Sequence, residues 1–179
     1  MSPAIKYAPR YTVDEYQLWK GDWELWDGFA IAMSPSPFGV HQAALVGLAS
    51  ELRNAGRSAK CAVTFVVELD WIVRSDTVVR PDLMILCGDA PAKHLEHTPA
   101  VIAEVLSPST RKNDLTYKRE LYEAEGVGTY LIVDPDAKTV EQLTLSEGGA
   151  YVSSGAKPSI SFSLCDNCSL SIEAAAVFR

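Results

Sequence analysis

No long hydrophobic run is present. Nothing in the 179 residues approaches the roughly 18 consecutive apolar positions that a bilayer-spanning helix requires. Met1 to Arg10 also lacks the apolar core of a secretory signal, so a cytoplasmic protein without membrane attachment is expected. Histidine is scarce: His41, His94 and His97 show no metal-ligand spacing with the cysteines. Cysteine is scarce too, and in a cytoplasmic chain of this size Cys61, Cys87, Cys165 and Cys168 do not suggest a disulfide framework. Cys165 and Cys168 form a CxxC, but tetrahedral zinc needs two further ligands, so reduced, mostly buried thiols are the expectation. Basic charge is the last shortage. Sixteen Lys and Arg face 23 Asp and Glu, a net charge of −7. Extended DNA-binding surfaces are usually basic, so this balance argues against tight nucleic-acid binding without metal. It leaves room for a nuclease whose carboxylates gather a divalent cation, because the ion then supplies positive charge locally.

What is present is ordinary globular material, 47% hydrophobic and 22% charged. The length suits one well-filled domain, and no repeat, low-complexity tract or linker divides it, so a single domain over residues 1–179 is expected. Thr12-Val13-Asp14-Glu15 has the form of a capping box that opens a short helix ending near Gly21. Alternating apolar residues on either side of Asp27-Gly28 predict a β-hairpin. Ser36-Pro37 reads as the start of a long helix that Gly56 stops. Residues 61–69, 71–74, 78–87, 100–106 and 129–135 read as β segments. A helix capped by Asn113 or Asp114 and running to Gly126 precedes the last of these. The remainder suggests another hairpin, a short strand and an alanine-rich C-terminal helix. This order fits an α/β (α+β) fold, with one central mixed sheet flanked by helices and an N-terminal hairpin.

Two acids stand out. Asp82 interrupts Val78-Val79-Arg80-Pro81-Asp82-Leu83-Met84-Ile85-Leu86, and Glu104 interrupts Val101-Ile102-Ala103-Glu104-Val105-Leu106. A carboxylate inside a buried apolar strand is costly unless a cation or hydrogen-bond donors satisfy it. Each acid could pair separately with an arginine, Asp82 for instance with Arg80 or Arg74. Two such acids in successive strands suggest instead a shared Mg²⁺ or Mn²⁺, both of which favour hard oxygen ligands. Lys118 shares a helix face with Leu115, Leu121 and Tyr122 at three- and four-residue spacing. It could cover apolar surface with its stem or pair with Asp114. Pointing at the strand that carries Glu104, it could also orient a water and offset phosphoryl charge. If so, Lys118→Met should leave folding nearly intact. Ser107, Arg111 and Lys112, in the polar loop after Glu104, are candidate substrate contacts. Glu51, Glu68 and His41 are weaker candidates, the two acids as extra metal ligands and the histidine as a polar contact at the site mouth.

Pro81-Asp82, then Glu104-Val105-Leu106-Ser107-Pro108-Ser109-Thr110, Asp114, Lys118, Tyr122, and Tyr130 to Pro135 together resemble the Uma-two-like family, classed among restriction endonucleases. Tyr11 to Tyr16, Glu24 to Gly28, Ser34-Pro35-Ser36 and His41 agree with it. The resemblance implies a PD-(D/E)XK core, a restriction-endonuclease-like fold with metal-dependent cleavage of DNA. It implies Asp82 and Glu104 as metal-binding carboxylates, helped by the Val105 carbonyl. Leu106 stands where the motif lysine would be, so Lys118 would supply that charge from the following helix. Cutting both strands with one-site subunits is compatible with a homodimer. Leu106 and the acidic charge balance favour a rival reading, a catalytically silent binding or assembly module on the same fold.

Overall fold

The computed structural model describes residues 8–33 and 39–179; the expected helix start at Ser36-Pro37 lies outside them. The Thr12 capping box closes α1 (Val13–Tyr16), with the Thr12 side chain and Glu15 satisfying each other's backbone amides. Strands β1 (Trp23–Trp26) and β2 (Phe29–Ala32) form the expected hairpin. Asp27 and Gly28 both take positive φ at its turn, as a tight two-residue connection demands.

The long helix α2 (Gly39–Ser58) follows. Gly56 does not stop it; this glycine lies inside the helix because the Phe65 ring packs where a side chain would stand, 3.1 Å from a Cβ built there. At Gly47 the approach is closer still. An added Cβ would meet the Val177 carbonyl oxygen at 2.1 Å, so α2 can press onto the C-terminal segment only with glycine at that position.

β3 (Val63–Val67) and β4 (Trp71–Arg74) appear where the β-rich runs suggest. The run 78–87 is two strands rather than one: β5 (Thr77–Val79) and β6 (Leu83–Cys87) belong to different sheets. Pro81 explains the break, since it cannot donate to a ladder. A four-stranded sheet has the order β2-β1-β5-β4. The central six-stranded sheet adds β7 (Val101–Val105), β8 (Thr129–Asp134), β9 (Thr139–Leu145) and β10 (Tyr151–Ala156) in the order β10-β9-β8-β7-β6-β3. It is mixed, with β7 and β8 parallel and its other neighbours antiparallel.

Parallel strands need a crossover, here a helical segment of three parts. It runs from α3 (Arg111–Asn113) through a π turn (Asp114–Lys118) to α4 (Arg119–Ala124). It therefore starts before the expected caps Asn113 and Asp114; Thr110 holds the cap position. Beyond β10 the chain makes a second hairpin, β11 (Ser159–Leu164) with β12 (Cys168–Glu173), and ends in a 3₁₀ turn (Ala174–Phe178) in place of the α-helix.

The cysteines overturn the thiol expectation. Cys61 is bonded to Cys168 and Cys87 to Cys165, so the CxxC is split between two partners and neither zinc nor free thiols describe the site. Pairings over 107 and 78 residues leave no local trace in sequence; the β11–β12 hairpin folds back on α2 and places both cysteines there. No helix among the described residues is long and apolar enough to cross a membrane.

Candidate metal and catalytic site

The Arg80-Pro81 break releases the chain from β5 into β6 and leaves Asp82 just ahead of that strand, beside the C-terminal half of β7. The two acids then clasp each other's backbone. The Asp82 amide donates to Glu104 Oε2 at 3.2 Å, and the Val105 amide donates to Asp82 Oδ2 at 2.7 Å. Neither arginine pairing of Asp82 occurs. Arg80 binds Asp70 and Asp22, and Arg74 binds Asp27, Asp76 and Glu125.

Strand alternation turns Glu104 toward the helical crossover, where it is 2% exposed. Lys118 meets it there, with Nζ 3.0 Å from Glu104 Oε1, and the Tyr122 hydroxyl donates to the same oxygen at 2.6 Å. Lys118 Nζ also lies 3.1 Å from Glu24 Oε1 and 3.9 Å from Asp114 Oδ1. The π turn contributes to this placement, because it carries both Asp114 and Lys118 and leaves both buried. Such turns recur at functional sites. The Asp114 carbonyl accepts a hydrogen bond from the Tyr130 hydroxyl at 3.0 Å.

Glu24 reaches the site from the other sheet. Trp26 Nε1 and the Arg80 amide hold its two oxygens at 2.9 and 2.7 Å, and Trp26 stacks on Tyr117 of the π turn with centroids 4.3 Å apart. His41, on α2, closes the opposite side, with Nε2 3.2 Å from Asp82 Oδ2. Its buried Nδ1 has no hydrogen-bond partner among the described residues.

Charge is unbalanced. Four carboxylates (Glu24, Asp82, Glu104 and Asp114) surround one ammonium and one imidazole. Burial pushes Glu104 well above the usual carboxylate range; Lys118 pulls it back down, while Asp82 and Asp114 raise it further. Burial likewise pushes Asp114 up to about 6, against the pull of Lys118. Burial alone would depress Lys118, but Glu104, Glu24, Asp114 and Asp82 outweigh it and keep the ammonium charged. His41 follows the same pattern: burial lowers it, and the Asp82 hydrogen bond and charge more than reverse this.

Do these residues fit a divalent cation? Among the described residues no three His, Cys, Asp or Glu side chains form a ready metal cage. Mg²⁺ needs less, because it takes one or two carboxylates and keeps several waters. Asp82 supplies such a carboxylate: Oδ1 accepts no hydrogen bond among the described residues, and the side chain is 19% exposed. The excess of buried negative charge and the all-oxygen donors suit a hard cation.

The other candidates sit further out. Ser107 is turned inward, its hydroxyl bonded to Ser109, to the Thr110 hydroxyl and to the Thr110 amide at the head of α3. Arg111 is tied to Asp134 at 2.8 Å, and Lys112 is exposed. Glu68 is exposed in the turn after β3, where its amide donates to the Asp82 carbonyl. Glu51 is half-buried on α2 and joins no side-chain contact of the site among the described residues. Leu106 is buried in the apolar cluster with Trp71 and Tyr122. Reasoning from sequence missed Glu24, whose partners come from other elements, and offered Asp114 only as a helix partner of Lys118, not as a buried acid of the site.

The chain matches over residues 13–173 the Uma2 family model, which carries the description "Putative restriction endonuclease". No curated protein matches it. Among solved structures, one from Anabaena variabilis ATCC 29413, described as "a putative nuclease belonging to DUF820", superposes with a TM-score of 0.74. It shares 19% identity and covers 94% of this chain and 97% of its own. At that identity the likeness establishes the fold, a mixed α+β architecture around a central mixed sheet.

Proposed function

The chain belongs to the Uma2 family, and from that premise we propose that it is a Mg²⁺- or Mn²⁺-dependent endonuclease that hydrolyses phosphodiester bonds in DNA. The observation that carries this reading is the clasp between Asp82 and Glu104 with Lys118 buried against it. Asp82, Glu104 and the Val105 carbonyl would hold the ion. When bound, a divalent cation polarises the phosphate and lowers the pKa of a water.

The rest is the work of the chain. Glu104 and Tyr122 fix where the Lys118 ammonium can stand, since the ammonium and the Tyr122 hydroxyl both donate to Glu104 Oε1. Lys118 then orients the attacking water and offsets the negative charge that develops on the phosphoryl oxygens. Glu24, anchored by Trp26 and the Arg80 amide, holds the ammonium from the other side. His41 orients Asp82 through Oδ2, leaving Oδ1 without a hydrogen bond among the described residues. Buried, mutually braced groups of this kind need little rearrangement during reaction.

A catalytically silent module is the second reading, favoured by Leu106 and by how tightly two acids hold Lys118. Plasmid nicking in Mn²⁺ separates the two. The nuclease should nick, and Asp82→Asn should slow nicking at least about tenfold, or about 1.4 kcal/mol of barrier. No nicking by the wild type, with a Mn²⁺-dependent rise in melting temperature that Asp82→Asn abolishes, would instead establish a metal-binding module without catalysis.

A further inference from the structure

A trough of about 580 Å³ runs between α2 and β3, the edge strand of the central sheet. It continues into a hollow of about 360 Å³ that shares Arg53, Arg57 and Phe65 and adds Lys60. The α2 wall is one helical stripe. Gln42, Val46, Arg53 and Arg57 recur at three- and four-residue multiples, spanning roughly 22 Å at about 1.5 Å per residue.

Its charge is opposite to that of the chain. The protein carries −7, yet this trough presents Arg53, Arg57 and Lys60, all exposed and none in an ion pair among the described residues. Among the described residues the one acid of the lining is Glu68, which stands at the end next to the site. There the Glu68 amide donates to the Asp82 carbonyl at 3.1 Å, and Gln42 directly follows the His41 that touches Asp82. The trough thus leads from its cationic end to the candidate metal site. Its floor on β3 is apolar: Phe65 is half-buried and Val67 is 50% exposed, with Val46 of the α2 wall beside them at 66%.

Cations beside an apolar and aromatic floor are what single-strand nucleic-acid sites combine, because phosphates take the charges while base faces take the floor. A duplex keeps its base faces stacked inside and has no use for such a floor. The geometry points to this trough as the path of a single polynucleotide strand, its phosphates on Arg53, Arg57 and Lys60 and its backbone running on past His41 to Asp82. This inference rests on the nuclease reading and names where, and in what form, that substrate lies.

The test is binding rather than cleavage. With Ca²⁺ replacing Mg²⁺, fluorescence anisotropy of a labelled 15-nucleotide single strand and of the matching duplex is followed against salt. Arg53→Ala/Arg57→Ala should weaken single-strand binding at least tenfold. It should also flatten the slope of log K against log salt by about 1.4, the share of two phosphate contacts to a single strand. Lys138→Ala/Lys157→Ala, remote in sequence from the trough, should change neither, and unchanged melting of both double variants checks the fold. Equal binding by the arginine variant overturns the path. So does tenfold preference for the duplex, or equally effective competition by polyglutamate, which would make the trough a peptide site. Absence of any binding overturns it as well, while the nicking assay decides separately whether the nuclease reading stands.

Discussion

The two faces of the six-stranded sheet are built from alternate residues of the same strands, yet they do opposite things. Leu83, Ile85, Val101, Ala103, Leu131 and Val133 point to one face and pack on α2, the β11–β12 hairpin and the C-terminal turn in a wholly apolar cluster. Met84, Leu86, Ile102, Tyr130 and Ile132 point to the other, where the neighbours include buried Glu104, Lys118 and Asp114. The first face is closed by packing and by two disulfides. The second spends hydrophobic burial on holding charges in place. One strand can serve both because its side-chain period is two, so β7 keeps Ala103 and Val105 dry while Glu104 between them faces the site.

Reduction should expose this difference most strongly. In the chain-entropy account, closing loops of 107 and 78 residues contributes about 4–5 kcal/mol for either bond alone, with less than the sum for the pair because one loop is nested in the other. With both bonds reduced, thermal unfolding should shift down by about 10 °C or more. Amide exchange should quicken in β11 and β12 before it does in β7 and α4. An unmoved melting point, with four free thiols counted, would mean that packing alone closes the dry face.

A single substitution should hurt the charged face almost as much. Lys118→Met leaves Glu24, Glu104 and Asp114 without their ammonium, and breaking a buried pair of this kind costs about 3–5 kcal/mol. The sequence suggested that folding would be nearly unaffected, since methionine keeps the apolar stem; the structure buries the ammonium among three acids, so the stem is not what matters. Adding Glu104→Gln to Lys118→Met should recover part of the loss, as urea midpoints would show. A double variant less stable than Lys118→Met alone would show that Lys118 is not compensating Glu104.

Much of the charged face was readable beforehand, for a reason that does not extend to the rest. Asp82 and Glu104 sit in apolar runs where acids are costly, and Lys118 falls on the apolar stripe of a helix, so each betrays itself within its own segment. The hairpin at Asp27-Gly28 was equally local. Glu24 was not, because its partners Lys118 and Arg80 come from other elements. The π turn has no composition of its own, and the disulfide pairing depends on how a distant hairpin folds back. Run 78–87 misled because apolar residues stand on both sides of Arg80-Pro81-Asp82, in one sheet before it and in the other after it.

The smallest expected effect is one of pH, and its sign comes from Asp114. Burial raises this carboxyl from 3.8 to about 6 in the folded metal-free protein. Between those values the folded state holds a proton that the unfolded chain has released, so stability falls as pH rises. The contribution is fully present below about 4 and is lost as pH passes 6, on the order of 1–3 kcal/mol. Glu104, raised by burial, acts in the same direction. Asp134 acts the other way, held below the usual range first by the Ala137 amide and then by Arg111, but its window lies under that of Asp114. The raised His41 contributes stability that is complete below 6.5 and fades only above it. Urea midpoints in EDTA from pH 4 to 7, compared between wild type and Asp114→Asn, isolate the effect. The wild type should lose ground to the variant between pH 4 and 6 and then run parallel to it. Parallel profiles throughout would show Asp114 ionised across the whole range, which would require a stronger counter-charge than Lys118 supplies.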